Sequence, residues 1–157
     1  MKKLLIISDT HGHRANMALA LKRFADTDII VHLGDYSRDA EQLRTMTDKP
    51  VYAVRGNCDF TASAEDELEL CIEGVRILCV HGHKQSVKSS LLRLSLYAQE
   101  KQADIVLFGH THMSCELHRH GVRLYNPGSL GEPRGARPSA GVVTLEEGRI
   151  HIKTVRL

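Results

Sequence analysis

The sequence predicts an α/β fold built from two mixed β-sheets, packed as a sandwich and flanked by helices. Three observations carry this expectation. The first third alternates short apolar runs with segments of helical period, the middle adds a two-strand hairpin, and the last third reads almost entirely as strand. At 157 residues, 42% apolar and 25% charged, the chain has the size and composition of one globular domain spanning 1–157.

Residues 3–8, built on the apolar run Leu4 to Ile7, read as a strand covered on both faces, and they stop at Asp9-Thr10-His11-Gly12. Residues 14–25 then place Met17, Leu19, Ala20, Leu21 and Phe24 at near-helical spacing. A second strand, Ile29 to Leu33, ends in Gly34-Asp35, and a short helix over 39–47 turns Leu43 and Met46 inward. Pro50 introduces a third strand, Val51 to Val54, which ends in Arg55-Gly56-Asn57-Cys58-Asp59. Strand, helix, strand, helix, strand is the order of a parallel sheet with crossover helices.

The hairpin follows. Leu68, Leu70 and Ile72 alternate with other residues, Glu73-Gly74 makes the turn, and Val75 to Val80 returns to end in His81-Gly82-His83. Residues 86–102, with Val87, Leu91, Leu94 and Ala98 on one stripe, predict a third helix. It leads into a strand at 104–108 and then Gly109-His110-Thr111-His112. The tail predicts strands at 113–119, 122–125, 140–145 and 149–156, with turns at His120-Gly121 and Glu147-Gly148. Between them, Asn126 to Ser139 is a Pro/Gly-rich loop of fourteen residues, long enough to serve a function or to be partly mobile.

Composition narrows the function. Net charge is only +2, cations are scattered and there is no Trp, so nucleic-acid binding through a basic groove or stacking platform is unsupported. The Met1-Lys2-Lys3 start imitates a signal peptide, but the run Leu4 to Ile7 is shorter than the roughly seven residues such a segment needs. No run approaches the roughly twenty residues that span a bilayer. Cys58, Cys71, Cys79 and Cys115 show no Cys-x-x-Cys spacing, which fits reduced thiols. The expectation is a cytoplasmic protein with no membrane partner. Self-association to a homo-oligomer stays open.

Ten histidines are unusual in such a chain, and six form His-x-His pairs at 11 and 13, 81 and 83, and 110 and 112. Every strand that reads as central ends in a group able to bind metal: Asp9 and His11, Asp35, Asn57, His81, then His110 and His112. Taken singly, Asp9 and Asp35 could cap helices and Asn57 could sit in a turn. Jointly, seven such groups at one sheet edge exceed the three protein ligands of a single catalytic zinc, and two carboxylates suffice for two ions sharing one bridge.

The order Asp9-x-His11, Gly34-Asp35, Gly56-Asn57-x-Asp59, His81 and Gly109-His110-x-His112 resembles the calcineurin-like metallophosphoesterase superfamily. Gly-Asn-Cys-Asp, His81-Gly82-His83 and Asn126-Pro127-Gly128-Ser129 narrow it to the small bacterial and archaeal phosphodiesterases, a family that includes the metallophosphoesterase-like subunit of retromer. The resemblance runs from Asp9 to Ser129. It implies the two-sheet sandwich and two divalent transition-metal ions, with Mn favoured and Fe, Zn, Ni or Co compatible with the same nitrogen and oxygen donors. It assigns Asp9, His11, Asp35 and His112 to one ion and Asp35, Asn57, His81 and His110 to the other, Asp35 bridging. It further implies hydrolysis of a small phosphate ester by a hydroxide held between the ions.

One residue departs from the superfamily pattern. Cys58 stands where many members carry His, thought to protonate or stabilise the leaving alkoxide; a thiol is a weak donor and a poor substitute. Asn57, Cys58 and Asp59 are thus the candidate catalytic loop, although Cys58 could equally fill a small apolar gap. His13 and His83 are candidates for substrate contact or for orienting ligands. His32 reads as structural, and His118, His120 and His151 as solvated. Arg55 is expected to pair with an acid such as Asp59, while Arg134 and Arg137 are unplaced phosphate or partner contacts. Three functions follow: a phosphodiesterase, a phosphomonoesterase or nucleotidase of the same fold, and a protein-binding scaffold. Intact ligands weigh against the third.

Overall fold

The computed structural model describes residues 1–60 and 64–157. Its first sheet has the strand order β10-β9-β1-β2-β3, from β1 (Lys2–Ile7), β2 (Ile29–His32), β3 (Val51–Ala53), β9 (Ser139–Glu146) and β10 (Arg149–Arg156). The second has the order β4-β5-β6-β8-β7, from β4 (Glu67–Ile72), β5 (Val75–Val80), β6 (Ile105–Leu107), β7 (Ser114–Arg119) and β8 (Val122–Pro127). The described helices are α1 (Arg14–Arg23), α2 (Ser37–Met46) and α3 (Leu92–Glu100), with a 3-10 turn at His83–Gln85. The expected fold class is the observed one. Both sheets are mixed: β1, β2 and β3 run parallel, as do β5, β6 and β8, while β9, β4 and β7 pair antiparallel.

The period-2 geometry of strands explains the layering. Leu4 and Ile6 of β1 face Ile77, Cys79, Ile105 and Leu107 in a core between the sheets. Leu5 and Ile7 point the other way, onto Met17 and Ala20 of α1 and Leu43 of α2. Leu78, Val80, Val106 and Phe108 likewise face Leu94 and Ala98 of α3. Leu4 to Ile7 are all fully buried, each contributing about 1.5–3 kcal/mol of transfer free energy. A rigid double layer therefore presents the carboxyl ends of its parallel strands side by side.

Two expectations need correction, and a third, that Arg55 pairs with an acid, holds with Asp66 as the partner. The third helix does not run over 86–102: a 3-10 turn at His83–Gln85 comes first, Ser86 is left-handed at φ 54°, and α3 starts only at Leu92. Ser90 explains the late start, since its hydroxyl accepts the Leu92 N–H at 3.1 Å and so offers the backbone a partner outside the helix. Val87 is buried against Gly82 instead of lying on a helical stripe. The loop expected over 126–139 is shorter, because β8 runs to Pro127 and β9 begins at Ser139. It is also tied down: Leu130 N donates to Ser8 O at 3.0 Å and Gly131 N to Asp9 O at 3.1 Å. Arg55 pairs with Asp66, donating from Nε and Nη2 at 3.0 and 2.6 Å, while Asp59 accepts the Gly56 N–H at 2.8 Å.

Candidate metal centre

The ends of β1, β2 and β6 deliver their polar groups through strained backbone. Asp9, His11, Asp35, His110 and His112 all have φ between 45° and 68°, the left-handed region that costs a non-glycine residue of order 1–3 kcal/mol. Such strain persists only where surrounding bonds over-determine it. Asp9 Oδ2 accepts the Ser8 hydroxyl and the His110 N–H, and Ser129 Oγ donates to the Asp9 carbonyl at 2.8 Å. Asn126 Nδ2 donates to Gly109 O at 2.9 Å and to Thr111 Oγ1 at 3.1 Å, closing the loop that carries His110 and His112. Gly109 must lack a side chain, because a Cβ there would lie 2.0 Å from Ser8 Oγ and 2.8 Å from Asp9 Oδ2.

The side chains converge in two sets sharing one carboxylate. Ligand atoms of Asp9, His11, Asp35 and His112 lie within 4.8 Å of one another, and so do those of Asp35, His81 and His110. His112 Nε2 is 3.2 Å from Asp9 Oδ1, and His11 Nε2 is 3.9 Å from Asp35 Oδ2. His81 Nε2 stands 3.4 Å from Asp35 Oδ1 and 3.1 Å from Asn57 Oδ1, which places Asn57 in the second set.

Hydrogen bonds outside the sets fix the tautomers. A carbonyl only accepts, so His81 Nδ1 donates to Leu33 O at 2.7 Å and His112 Nδ1 donates to Glu132 O at 2.6 Å. In the neutral rings both Nε2 lone pairs then face carboxylate oxygens, a repulsive arrangement unless a proton or another cation lies between. Asp9 Oδ1 and His11 Nε2 are buried with no hydrogen-bond partner at all. These orphaned donors, all nitrogen or oxygen and with no thiolate, fit divalent transition-metal ions.

Titration follows the same geometry. Burial opposes ionisation of Asp9, yet His112, His81 and Ser8 together hold its carboxyl below the usual range. Burial likewise opposes Asp35, and the hydrogen bond and charge of His81 with the Cys58 N–H hold it well below that range. His81 is raised against its burial by Asp35 and Asp9, and His112 is raised by the neighbouring Asp9 carboxylate. Burial and the neighbouring His81 push His110 down to about 4.

The remaining candidates separate. Cys58 is exposed; its N–H donates to Asp35 Oδ1 at 3.0 Å, and desolvation together with the Asp35 charge pushes its thiol up to about 11. His13 is exposed at the start of α1 and joins neither set. His83 packs its ring 5.5 Å from that of His81, with Nδ1 buried and unpartnered. His32 is fully buried on Thr10 Oγ1 at 2.9 Å, as expected of a structural residue, and His118, His120 and His151 are exposed. Arg134 and Arg137 are exposed in the loop, where Arg134 N donates to His112 O at 3.2 Å.

Several supports were not apparent from sequence: Ser8, Glu132, and a buried chain in which Thr10 bonds both His32 and Asp39 while Gly12 N donates to Asp39 at 2.8 Å. Tyr36 packs its ring 5.0 Å from that of His11. Asp-Thr-His-Gly was the available signal for the Thr10 chain, since a hydroxyl between two such residues needs a partner when buried.

Residues 1–148 match the model of the calcineurin-like phosphoesterase superfamily domain. The probable metallophosphoesterase YsnB of Bacillus subtilis is 37% identical over 145 residues, covering 91% of this chain and 84% of that protein. The phosphodiesterase YfcE of Escherichia coli strain K12 is 28% identical over 173 residues, covering 89% and 85%. A solved structure of a conserved Streptococcus pneumoniae protein, described as a predicted phosphoesterase, superimposes with a TM-score of 0.85 at 25% identity, covering 99% of this chain and 89% of that one. No described helix is long and apolar enough to cross a membrane. With its metal-binding residue types gathered at the strand ends and the family model matched across nearly its whole length, the chain belongs to the calcineurin-like phosphoesterase superfamily.

Proposed function

We propose that this chain is a binuclear metal-dependent phosphodiesterase acting on a small phosphate ester in the cytoplasm. Asp9, His11, Asp35 and His112 would hold one divalent ion and Asp35, Asn57, His81 and His110 the other, with Mn the favoured metal. The observation that carries this reading is Asp35, whose two oxygens face different sets, Oδ2 towards His11 and Oδ1 towards His81. When bound, such ions lower the pKa of a shared water, so that hydroxide is at hand near neutral pH, and neutralise charge on the phosphoryl oxygens.

The side chains do the rest. The Leu33 and Glu132 carbonyls hold His81 and His112 in the tautomer whose Nε2 faces inward. The Cys58 N–H fixes one oxygen of Asp35. Asn57, Cys58 and Asp59 would face the leaving group, with the Cys58 thiol in place of the imidazole that many members of the superfamily carry at that position. A diester is preferred because it brings one negative charge and needs no group to neutralise a second. The test is a panel of phosphomonoesters, diesters and cyclic nucleotides assayed with each divalent metal. Faster turnover of diesters supports the reading, and hydrolysis confined to monoesters would replace it with the phosphomonoesterase reading.

A further inference from the structure

A cleft of about 720 Å³ includes His81 and His83 in its lining and extends between the end of β5 and helix α3, to Leu96, Tyr97 and Glu100. Its size suits a substituent as large as a nucleoside. Neither Asn57, Cys58 nor Asp59, where the leaving group is expected, belongs to that lining.

Its charges are largely spent on one another. Lys84 Nζ lies 2.5 Å from Asp66, which Arg55 also pairs, and Glu67 accepts the Tyr97 hydroxyl at 2.5 Å and pairs with Lys101 at 2.9 Å. Arg93 donates to Ser86 Oγ at 3.3 Å, and the acids of the lining, Asp66, Glu67 and Glu100, outnumber its Lys84 and Arg93. No excess of cations remains to reward a second phosphate. What the walls offer is apolar surface, chiefly from the 46%-exposed Leu96, beside many polar atoms.

Building on the phosphodiesterase reading, we infer that this cleft binds the ester arm that stays on phosphorus, and that it selects an uncharged, hydrogen-bonding arm of nucleoside size. The arm enters beside His83 and lies along α3, with Leu96 against its apolar face. Selectivity is set there, and the chemistry stays at the metal ligands.

Two esters with the same leaving group test this on the metal-loaded protein: thymidine 5′-(p-nitrophenyl phosphate) and methyl p-nitrophenyl phosphate. The nucleoside ester should have a kcat/KM about tenfold or more above that of the methyl ester, within the range that pocket contacts typically supply. Leu96→Trp, a change at a half-exposed helix position that the fold tolerates, should shrink that ratio towards one, chiefly through KM for the nucleoside ester. A parent ratio near one overturns the inference, and so does a ratio that Leu96→Trp leaves unchanged. Failure to hydrolyse either ester with any divalent metal would instead remove the phosphodiesterase reading, and this one with it.

Discussion

His112 Nε2 stands 3.2 Å from Asp9 Oδ1, joining the loop after β6 in one sheet to the loop after β1 in the other. The candidate centre therefore sits across the seam of the sandwich, where ligands from both sheets meet. A metal bound there ties the sheets together at their carboxyl ends, and binding that favours the folded state stabilises it by mass action.

Metal removal should accordingly lower thermal stability. At metal about a hundredfold above its Kd the gain is about 2.7 kcal/mol, and chelator should abolish it. Calorimetry with and without EDTA measures the effect, and Asp9→Asn should show a much smaller difference. A Tm indifferent to metal in the parent protein would count against ligands from both sheets holding an ion.

Gly109→Ala should cripple the site without dismantling the sheets. The added methyl meets Ser8 Oγ at 2.0 Å, so Ser8 must give up its bond to Asp9. Loss of an orienting bond typically costs about 10–100-fold in metal affinity or activity. Titration of metal affinity should show that loss with the circular dichroism spectrum unchanged, and Ser8→Ala should blunt the effect of a subsequent Gly109→Ala.

Much of this site was legible in the sequence because its residues sit where periodicity breaks: Asp9, Asp35, His81 and His110 each follow an apolar strand run. What closes the loops was not. Ser129 reaches the Asp9 carbonyl across 120 positions, and Glu132 serves His112 through its backbone, where the side chain's identity carries no signal. The late start of α3 has a similar origin. Ser86, Ser89 and Ser90 satisfy its first turns locally and override the apolar stripe that Val87 and Leu91 suggest. Arg55 pairs with Asp66, eleven positions on, while Asp59, closer in sequence, accepts the Gly56 N–H.

His32 gives the fold a pH dependence of known sign. Burial pushes its imidazole down to about 4 from the usual 6.5, with Asp39 and Asp9 opposing. Below pH 6.5 the unfolded chain takes up a proton that the folded chain refuses until pH 4, so this residue's contribution is complete above 6.5 and lost as pH falls towards 4. The loss is on the order of 3 kcal/mol. Urea unfolding between pH 4 and 7 should show a shallower slope for His32→Gln than for the parent; equal slopes would mean that the His32 pKa does not change on folding.

Cys58 predicts a selectivity among leaving groups. With a neutral thiol where an acid would serve, the departing oxygen must carry its own charge. Aryl diesters should be good substrates and alkyl diesters should lag by roughly 10²- to 10⁴-fold. Cys58→His should recover part of that deficit for alkyl esters alone. A flat leaving-group plot in the parent, with chemistry rate-limiting, would show that another group donates the proton.

In the proposed function Asp35 would serve two ions at once. Asp35→Asn should cost more activity than any other single ligand change, but the most direct measurement is a crystal structure of the Mn-loaded protein with anomalous data at the Mn edge. Two peaks roughly 3.5–4 Å apart are expected, both within bonding distance of the Asp35 carboxylate. One peak, or two with Asp35 turned away from either, would contradict it.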